Sequence, residues 1–209
     1  MKKTPSLMII GNSNVGKSSI TRLLLPNPKK FKGKTGKTPG STLLIKPIEQ
    51  QNLPYTIVDL PGFGYIKHSS RRREDHVKKQ IIIHIEKNYE KYFLGLVVIN
   101  MIRIEDEINK YCIQNEETIP LSFELISFLK EFQIPLLVLF NKIDKVSQYD
   151  KKRMLSLFLN AAQQYGLKIT PLKDGNSTDE IPYLEISALK KINFDKLKKH
   201  IRIYLSKHN

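Results

Sequence analysis

The sequence predicts an α/β fold in which a mostly parallel, six-stranded sheet carries helices on both of its faces. The first observation is that short apolar runs alternate with amphipathic segments along the chain, which is typical of parallel strands joined by helices. The second is that neither an internal repeat nor an interdomain linker interrupts the 209 residues, a length sufficient for one full hydrophobic core. We therefore expect one domain that spans residues 1–209.

The strands are predicted from the short apolar runs. Leu7–Ile10 is the first of these runs and predicts a buried strand near the start of the chain. Leu43–Ile48 and Tyr55–Val58 predict a pair of strands joined by a turn around residues 50–54. The later strands are predicted at Phe93–Asn100, Pro135–Phe140 and Tyr183–Ile186.

The helices are predicted from apolar side chains that recur at helical spacing. Ser18–Leu25 follows the first strand and ends at Pro26, and the last helix, about residues 193–207, begins at Asn193, a residue typical of helix N-caps. The last helix is predicted to bury Phe194, Leu197, Ile201 and Tyr204 and to expose Lys196, Lys198, Lys199, Arg202 and Lys207. The helices between them are predicted at Glu74–Tyr92, Leu121–Phe132 and Asp150–Tyr165. Segments 26–42 and 166–182 are predicted to be loops, and a mixed-charge segment, 103–117, separates the fourth strand from the next helix.

Composition and charge narrow the classes of protein. A hydrophobic fraction of 40% is too high for a disordered chain, and the longest apolar run, Phe93–Ile102, is about half of the ~20 residues that a membrane span needs. The start of the chain does not resemble a signal peptide, and Cys112 has no second cysteine for a disulfide, so we expect a cytoplasmic protein outside the membrane. We also expect a monomer, although the sequence does not itself give the oligomeric state. The net charge of +15 favours polyanionic partners, nucleic acid first and an anionic membrane second. The alternative is that the lysines only keep the protein soluble.

The segment GNSNVGKS, Gly11–Ser18, matches the phosphate-binding loop pattern and lies between a predicted buried strand and a predicted helix. In such a loop the backbone N–H groups and the helix N-terminus attract phosphate. Lys17 would bridge the β- and γ-phosphates and the Ser18 hydroxyl would ligate Mg²⁺. DLPG, which begins at Asp59, follows the strand pair, so that Asp59 would hold Mg²⁺ through water and the Gly62 N–H would reach the γ-phosphate.

The segment NKID, Asn141–Asp144, follows a predicted central strand at its carboxyl end, where open α/β sheets bind their ligands. Asp144 can accept hydrogen bonds from the N1–H and the 2-amino group of guanine, whereas adenine offers no donor at these places. Lys142 would lie along the base, and Asn141 would tie its loop to the phosphate loop. In ISAL, residues 186–189, the backbone N–H groups of Ser187 and Ala188 would donate to the guanine O6. The ordered series of motifs therefore predicts a guanine-nucleotide site and excludes a P-loop kinase.

These motifs resemble those of the EngB-type (YihA-like) GTPases, ribosome-assembly factors of the translation-factor class. The resemblance extends over essentially the whole chain and depends on Gly11–Ser18, Thr38–Thr42, Asp59–Tyr65 and Asn141–Asp144. The segment 119–145, IPLSFELISFLKEFQIPLLVLFNKIDK, resembles the archaeal branch especially. The resemblance implies a P-loop NTPase G domain with switch I at about residues 26–42 and switch II at about residues 59–75.

The same resemblance implies a function. It implies Mg²⁺ as the cofactor, with Thr42 as its switch I ligand in the GTP state, and binding to the large ribosomal subunit or its rRNA late in assembly. Some members have also been linked to cell division and septation, which we interpret as an indirect consequence of ribosome supply. Two departures from the family, Asn100–Arg103 in place of an Asp-x-Arg stretch and a longer charged segment before Leu121, concern partner contacts rather than the nucleotide site.

The residue after DLPG raises the question of how water is activated, because Phe63 stands where the best-known GTP switches have a glutamine. The resemblance implies that a hydrophobic residue is normal there and that hydrolysis by the protein alone is slow. In related GTPases an asparagine at the position of Asn14 helps to coordinate K⁺ against the phosphates, which would stabilise the transition state. The alternative is that Asn14 only hydrogen-bonds the loop.

The predicted site residues form one set. The catalytic residues are predicted to be Lys17, Thr42, Gly62 and Asn14, and the metal ligands Ser18, Thr42 and Asp59 for Mg²⁺ and Asn14 for K⁺. The predicted nucleotide contacts are Gly11, Asn12, Ser13, Asn14, Val15, Gly16, Lys17, Ser18, Ser19, Gly40, Ser41, Thr42, Asp59, Leu60, Pro61, Gly62, Asn141, Lys142, Ile143, Asp144, Ile186, Ser187 and Ala188.

Basic residues concentrate in the two predicted switches. They would couple RNA affinity to the nucleotide state, because these loops reorder between GTP and GDP. An alternative function is a basic RNA-binding protein whose guanine nucleotide is mainly structural. The residues are Lys29, Lys30, Lys32, Lys34, Lys37, Lys67, His68, Arg71, Arg72 and Arg73.

Overall fold

A seven-stranded sheet with six α-helices forms the part of the chain that the computed structural model describes, residues 4–30, 45–62, 71–113, 119–174 and 176–208. Short 3₁₀ turns occupy Pro28–Lys30, Tyr89–Lys91, Met101–Arg103 and Ile143–Lys145, and a π-helix occupies Asn109–Ile113. The strands are β1 (Ser6–Gly11), β2 (Lys46–Ile48), β3 (Thr56–Asp59), β4 (Tyr92–Asn100), β5 (Leu136–Asn141), β6 (Ile169–Pro171) and β7 (Ile181–Glu185). The helices are α1 (Lys17–Leu24), α2 (Arg71–Asn88), α3 (Ile104–Ile108), α4 (Leu121–Glu131), α5 (Gln148–Gln164) and α6 (Phe194–His208).

The strand order brings the carboxyl ends of the central strands to one edge of the sheet. The order is β2-β3-β1-β4-β5-β7-β6, and β2 alone among these strands runs antiparallel to its neighbour. Met8 of β1 is opposite Val58 of β3 on one side and Gly95 of β4 on the other. The segments that follow β1, β3, β5 and β7 therefore meet at the same edge.

Alternate side chains of β1 point to opposite faces of the sheet, and each face is covered by its own helices. Met8 and Ile10 belong to a buried cluster with α2, α3, α4 and α5, whereas Leu7 and Ile9 belong to a second cluster with α1 and α6. Fully burying one such side chain stabilises the fold by about 1.5–3 kcal/mol. Both faces are thus packed, which is why the central strands are apolar throughout. No helix in the described ranges is long and apolar enough to cross a membrane.

The predicted fold class is confirmed, but the predicted number of strands is wrong. The seventh strand, β6, lies inside the segment 166–182 that the sequence predicts to be a loop. It has three residues and forms the edge of the sheet through pairs such as Ile169 with Ile181. A strand this short has no apolar run of its own, so its pairing with β7 creates it.

Several element boundaries also differ from the prediction. α2 extends from Arg71 to Asn88 rather than from 74 to 92, and the mixed-charge segment contains α3 and the π-helix. On α6 the buried side chains include Leu205, whereas Tyr204, predicted to be buried, is only half-buried. Asn193 precedes this helix as predicted; its carbonyl accepts from the Leu197 N–H, and its side-chain amide donates to the Glu185 carbonyl.

Candidate nucleotide-binding site

The loop between β1 and α1 is held in place by contacts from two other strands. Gly16 ends this loop with φ at +104°, a conformation that disfavours every residue with a side chain. A Cβ at Gly16 would also lie 2.3 Å from the side-chain nitrogen of Asn141, the last residue of β5. The Ser19 N–H then donates to the Gly16 carbonyl at 3.1 Å and begins α1. The sequence motif therefore becomes a turn that aims backbone N–H groups at the edge of the sheet.

Lys17 points its amine back into this loop. The amine donates to the carbonyl oxygens of Gly11 at 3.0 Å and Asn12 at 2.9 Å, and the residue is only 8% exposed. Burial lowers the pKa of Lys17 to about 8, although the nearby Asp59 carboxylate acts in the opposite direction. Burial removes the water that would stabilise the protonated amine. A bound phosphate would stabilise that form instead, because its negative charge favours the positive charge of the amine.

Asp59 lies at the end of β3 and faces the start of α1. Its Oδ2 accepts a hydrogen bond from the Ser18 hydroxyl at 3.1 Å, while its Oδ1 is buried without a hydrogen-bond partner among the described residues. Burial raises the pKa of this carboxyl group, and Lys17 and the hydroxyls of Ser18 and Thr21 oppose that rise. An unpartnered carboxylate oxygen beside a serine hydroxyl is a set of hard oxygen donors, which Mg²⁺ prefers. The residues present therefore fit this ion.

Thr21 is a residue at this site that the motif does not reveal. It is fully buried, donates to the Lys17 carbonyl at 3.1 Å and helps to keep Asp59 ionised. Its position one helical turn after the end of the phosphate motif, on the face toward β3, is the signal that could have identified it.

The segment after β3 packs directly on the phosphate loop. A Cβ at Gly62 would lie 2.3 Å from the Ser13 hydroxyl oxygen and 2.9 Å from the Ser13 Cα. The Ser13 hydroxyl is itself buried and has no hydrogen-bond partner among the described residues. Leu60 and Pro61 are buried as well, so Asp59–Gly62 and the phosphate loop form one contact surface.

Asn141 connects three segments of the site. Its side-chain nitrogen donates to the Val15 carbonyl at 2.8 Å, and its side-chain oxygen accepts from the Ala188 N–H at 3.0 Å. It is 2% exposed, so both bonds are shielded from water. The amine of the next residue, Lys142, donates to the Asn14 carbonyl at 2.6 Å. The loop after β5 is therefore tied to the phosphate loop on one side and to the loop after β7 on the other.

Asp144 is oriented by the loop that follows β7. Its Oδ1 accepts a hydrogen bond from the Ser187 hydroxyl at 2.6 Å, and Ser187, which is fully buried, also accepts from the Lys190 N–H at 3.0 Å. The second carboxylate oxygen of Asp144 has no hydrogen bond to any described residue. Leu189 lies in the same loop as Ser187 and is 70% exposed. The arrangement suits a flat polar base with two donors on one edge.

The structure thus brings together the predicted residues of four segments: 11–19, 59–62, 141–144 and 186–188. Some other predicted residues lie outside the part of the chain that the structure describes, and the side chains of Arg71, Arg72 and Arg73 are not described either. Those outside are Gly40, Ser41, Thr42, Phe63, Lys32, Lys34, Lys37, Lys67 and His68.

Comparisons with known proteins agree with this geometry. A family model described as 50S ribosome-binding GTPase matches residues 6–142. The chain is 34% identical over 149 residues to the "Probable GTP-binding protein EngB" of Methanosarcina barkeri, across 71% of this chain and 68% of the relative. It is 30% identical over 155 residues to the protein of the same name from Methanococcus aeolicus, across 74% of this chain and 65% of the relative.

Solved structures show the same fold. A crystal structure described as a probable GTP-binding protein engB superposes with a TM-score of 0.75 at 26% identity, and the match covers 97% of this chain and 99% of that one. The GTPase Era, crystallised with MgGDPNP and nucleotides of 16S ribosomal RNA, superposes with a TM-score of 0.62 at 22% identity, over 98% of this chain and 57% of that one. The second likeness concerns the fold alone.

Proposed function

Because the chain belongs to the EngB-type GTPases, we propose that it is a guanine-nucleotide switch that binds and slowly hydrolyses GTP during assembly of the large ribosomal subunit. One observation carries the nucleotide part of this proposal. The carboxylate of Asp144 is fixed at 2.6 Å by the buried Ser187 hydroxyl, in a loop that Asn141 ties to the phosphate loop. The site would therefore recognise the edge of a base at Asp144 and a phosphate chain at the phosphate loop, at a fixed distance from each other.

The phosphates would lie on the loop after β1. The backbone N–H groups of residues 12–18 and the N-terminus of α1 would bind the β-phosphate, and Lys17 would leave its carbonyl partners to bridge the β- and γ-phosphates. Ser18 would ligate Mg²⁺ and the free oxygen of Asp59 would hold a water of its shell, with Thr42 completing the set in the GTP state. When bound, the ion neutralises charge that develops on the phosphate oxygens.

Hydrolysis would depend on positioning rather than on a general base. Gly62 packs against Ser13, so its N–H is available to the γ-phosphate only when Asp59–Gly62 stays seated on the phosphate loop. The side chain of Asn14 is exposed and makes no hydrogen bond within the described residues, so it is free to coordinate K⁺ beside the phosphates. Faster GTP turnover in KCl than in NaCl at equal ionic strength would support this role; equal rates would refute it.

Nucleotide specificity tests the part of the proposal that concerns the base. We expect the wild type to prefer GDP over ADP by about 10⁴-fold or more, since ADP would leave the Asp144 carboxylate unpaired. Asp144→Ala should lose this preference. Asp179→Ala, which removes an exposed carboxylate far from the motifs, should keep it, and calorimetric titration with both nucleotides measures the difference. Equal affinities of the wild type for GDP and ADP would contradict the assignment.

The ribosomal part of the proposal has separate support. The family description names 50S ribosome binding, and the net charge of +15 suits a partner made of RNA. Co-sedimentation of the protein with large ribosomal subunits and their precursors tests it, with GDP or with a non-hydrolysable GTP analogue at physiological salt. Retention with the analogue and release with GDP is the expected result. Equal binding in both states, or none, would leave a GTPase with another partner.

A second candidate function is RNA binding with a purely structural nucleotide. Ser18→Ala distinguishes the two, because it removes a proposed Mg²⁺ ligand without changing the basic surface. It should abolish the dependence of RNA binding on nucleotide if the protein is a switch, and leave RNA binding untouched if the nucleotide is structural. We place the protein in the cytoplasm and regard any effect on cell division as indirect.

A further inference from the structure

Charge is distributed unequally between the two faces of the sheet. α1 and α6 pack on one face, and α2, α3, α4 and α5 pack on the other. The second group carries nine acidic and ten basic residues, which nearly cancel. α1 and α6 carry seven basic residues and a single acidic one, Asp195. Since Lys17 is buried in the phosphate loop, most of the exposed positive charge on this face belongs to α6.

Four cations of α6 are exposed and have no partner within the described part of the chain. Neither an ion pair nor a hydrogen bond joins any of them to a described residue, so their charge is not neutralised internally. Two of the three basic residues of α5 differ: Arg153 contacts Glu105 at 2.6 Å, and Lys151 contacts Glu185 at 2.7 Å. The four α6 cations are Lys196, Lys198, Lys199 and Arg202.

The helix that carries these cations, α6, is packed against the sheet. Leu197 and Ile201 are buried against the sheet, and the helix packs on β4. Asn193 ties its start to β7 through the Glu185 carbonyl at 2.7 Å. From position 196 to position 202 the helix rises about 9 Å, and at about 100° per residue the four cations spread over roughly 160° of its circumference, which is its exposed side. None of these contacts involves the described residues of the segments 26–42 and 59–75, so we expect the α6 cations to be placed alike in both nucleotide states.

The chemistry of this face favours RNA over a lipid surface. A helix that binds a membrane presents large apolar side chains to the lipid. The large hydrophobic residues that are exposed in the described ranges lie on other elements, and the apolar side of α6 is buried against the sheet. Exposed Ile192 lines a cavity together with Lys196, but it lies in the loop before α6 and not on the helix. Four cations without an anionic partner suit a chain of phosphates, which several lysines and arginines neutralise together.

We propose that α6 is a second RNA contact, in which Lys196, Lys198, Lys199 and Arg202 bind the sugar-phosphate backbone of rRNA with equal strength in the GDP and GTP states. The inference rests on the proposed ribosomal function, and it adds a constant contact to the one that the switches would regulate. α6 would add the same affinity in both nucleotide states, and the switches would decide whether the total is sufficient to retain the protein on the subunit.

The test compares two variants of the full chain that lose the same charge from opposite faces. All the substituted side chains are exposed, and none belongs to the nucleotide site. Fluorescence anisotropy of a labelled RNA hairpin gives affinity with GDP and with a non-hydrolysable GTP analogue, from about 50 to 200 mM salt. GDP affinity is measured as a check of folding, and pelleting with phosphatidylserine vesicles as a check for lipid binding. The α6 variant is K196Q/K198Q/K199Q/R202Q, and the control is K79Q/K87Q/K130Q/K152Q.

We expect the α6 variant to lose about tenfold or more in RNA affinity at low salt, by the same factor in both nucleotide states. The slope of log affinity against log salt should shrink by about 0.7–0.9 for each phosphate that the variant no longer neutralises, whereas the control should remain close to the wild type. Three results would each overturn the inference. They are an equal loss of RNA affinity in the two variants, a loss of RNA affinity in one nucleotide state alone, and weaker vesicle binding with unchanged RNA binding.

Failure of the inference can be told apart from failure of the proposed function. If the α6 variant sediments with large subunits as the wild type does, and only with the GTP analogue, the switch stands and the α6 contact is wrong. If the wild type binds GDP but no RNA, the α6 contact and the ribosomal partner are both wrong, and the GTP site stands.

Discussion

Asn141→Ala removes the residue that joins the two halves of the nucleotide site. Its side chain bonds the Val15 carbonyl at 2.8 Å and the Ala188 N–H at 3.0 Å, and at 2% exposure water does not replace these partners. The variant leaves one buried acceptor and one buried donor unsatisfied, at about 1–3 kcal/mol each. We therefore expect the free energy of unfolding of the nucleotide-free protein to fall by about 2–6 kcal/mol.

The same bonds set the distance between the phosphate loop and the base loops, so nucleotide affinity should fall as well. A loss of about 2 kcal/mol at the site corresponds to about 30-fold in Kd. Urea unfolding without nucleotide gives the stability, and calorimetric titration with GDP gives the affinity.

Asn88→Ala is the matched control. Asn88 also donates one hydrogen bond, to the His84 carbonyl, and accepts one, from the Lys91 amine, each at 2.8 Å. Unlike Asn141, it is half-buried and lies near the amino ends of the central strands. It should cost less stability and leave GDP affinity unchanged. The reasoning is wrong if Asn141→Ala destabilises the protein no more than Asn88→Ala does, or binds GDP as tightly as the wild type.

Three further predictions concern single groups of the site. Burial holds the pKa of free Lys17 at about 8, and bound phosphate would raise it. GDP affinity should therefore be constant below about pH 8 and should fall above it, by up to about tenfold per pH unit. A GDP affinity that stays constant from about pH 7 to 9 in titrations would refute this. Ser187→Ala removes the 2.6 Å hydrogen bond that orients Asp144 and should weaken GDP binding by about 10- to 100-fold. The control Ser206→Ala removes an exposed hydroxyl and should leave the Kd for GDP unchanged. Equal Kd values for both variants would contradict this. Gly62→Ala places a Cβ 2.3 Å from the Ser13 hydroxyl oxygen. It should therefore reduce the affinity for a GTP analogue more than the affinity for GDP in the same titrations. Equal reductions for the two nucleotides would count against the role of the Gly62 N–H.

The chemistry proposed for the site follows from the sequence because each motif is short and its chemistry demands particular residues. A loop that binds phosphate needs a glycine at the +104° φ of Gly16 and an amine at Lys17, and a guanine edge needs a carboxylate such as Asp144. The central strands were predictable for a similar reason, since burial on both faces makes them apolar throughout. Local composition is sufficient for features of this kind.

Features that depend on distant partners were not predictable in the same way. β6 exists because it pairs with β7, and α3 lies in a segment of mixed charge where Glu105 contacts Arg153 of α5. The role of Thr21 depends on β3, which brings Asp59 to the start of α1. In each case the stabilising partner is remote in the chain, so the local pattern carries no signal of it.

The sequence by itself therefore predicted which residues form the candidate nucleotide site, and the tertiary structure decided how they are arranged. Val15 and Asn141 are 126 positions apart, and Asp144 and Ser187 are 43 apart, yet parallel strands bring each pair within hydrogen-bond distance. The tertiary structure also placed α1 and α6 on one face, which turned a net charge spread along the chain into a basic surface. Hydrogen bonds and fields depend on distance in space, and only the packed sheet sets those distances.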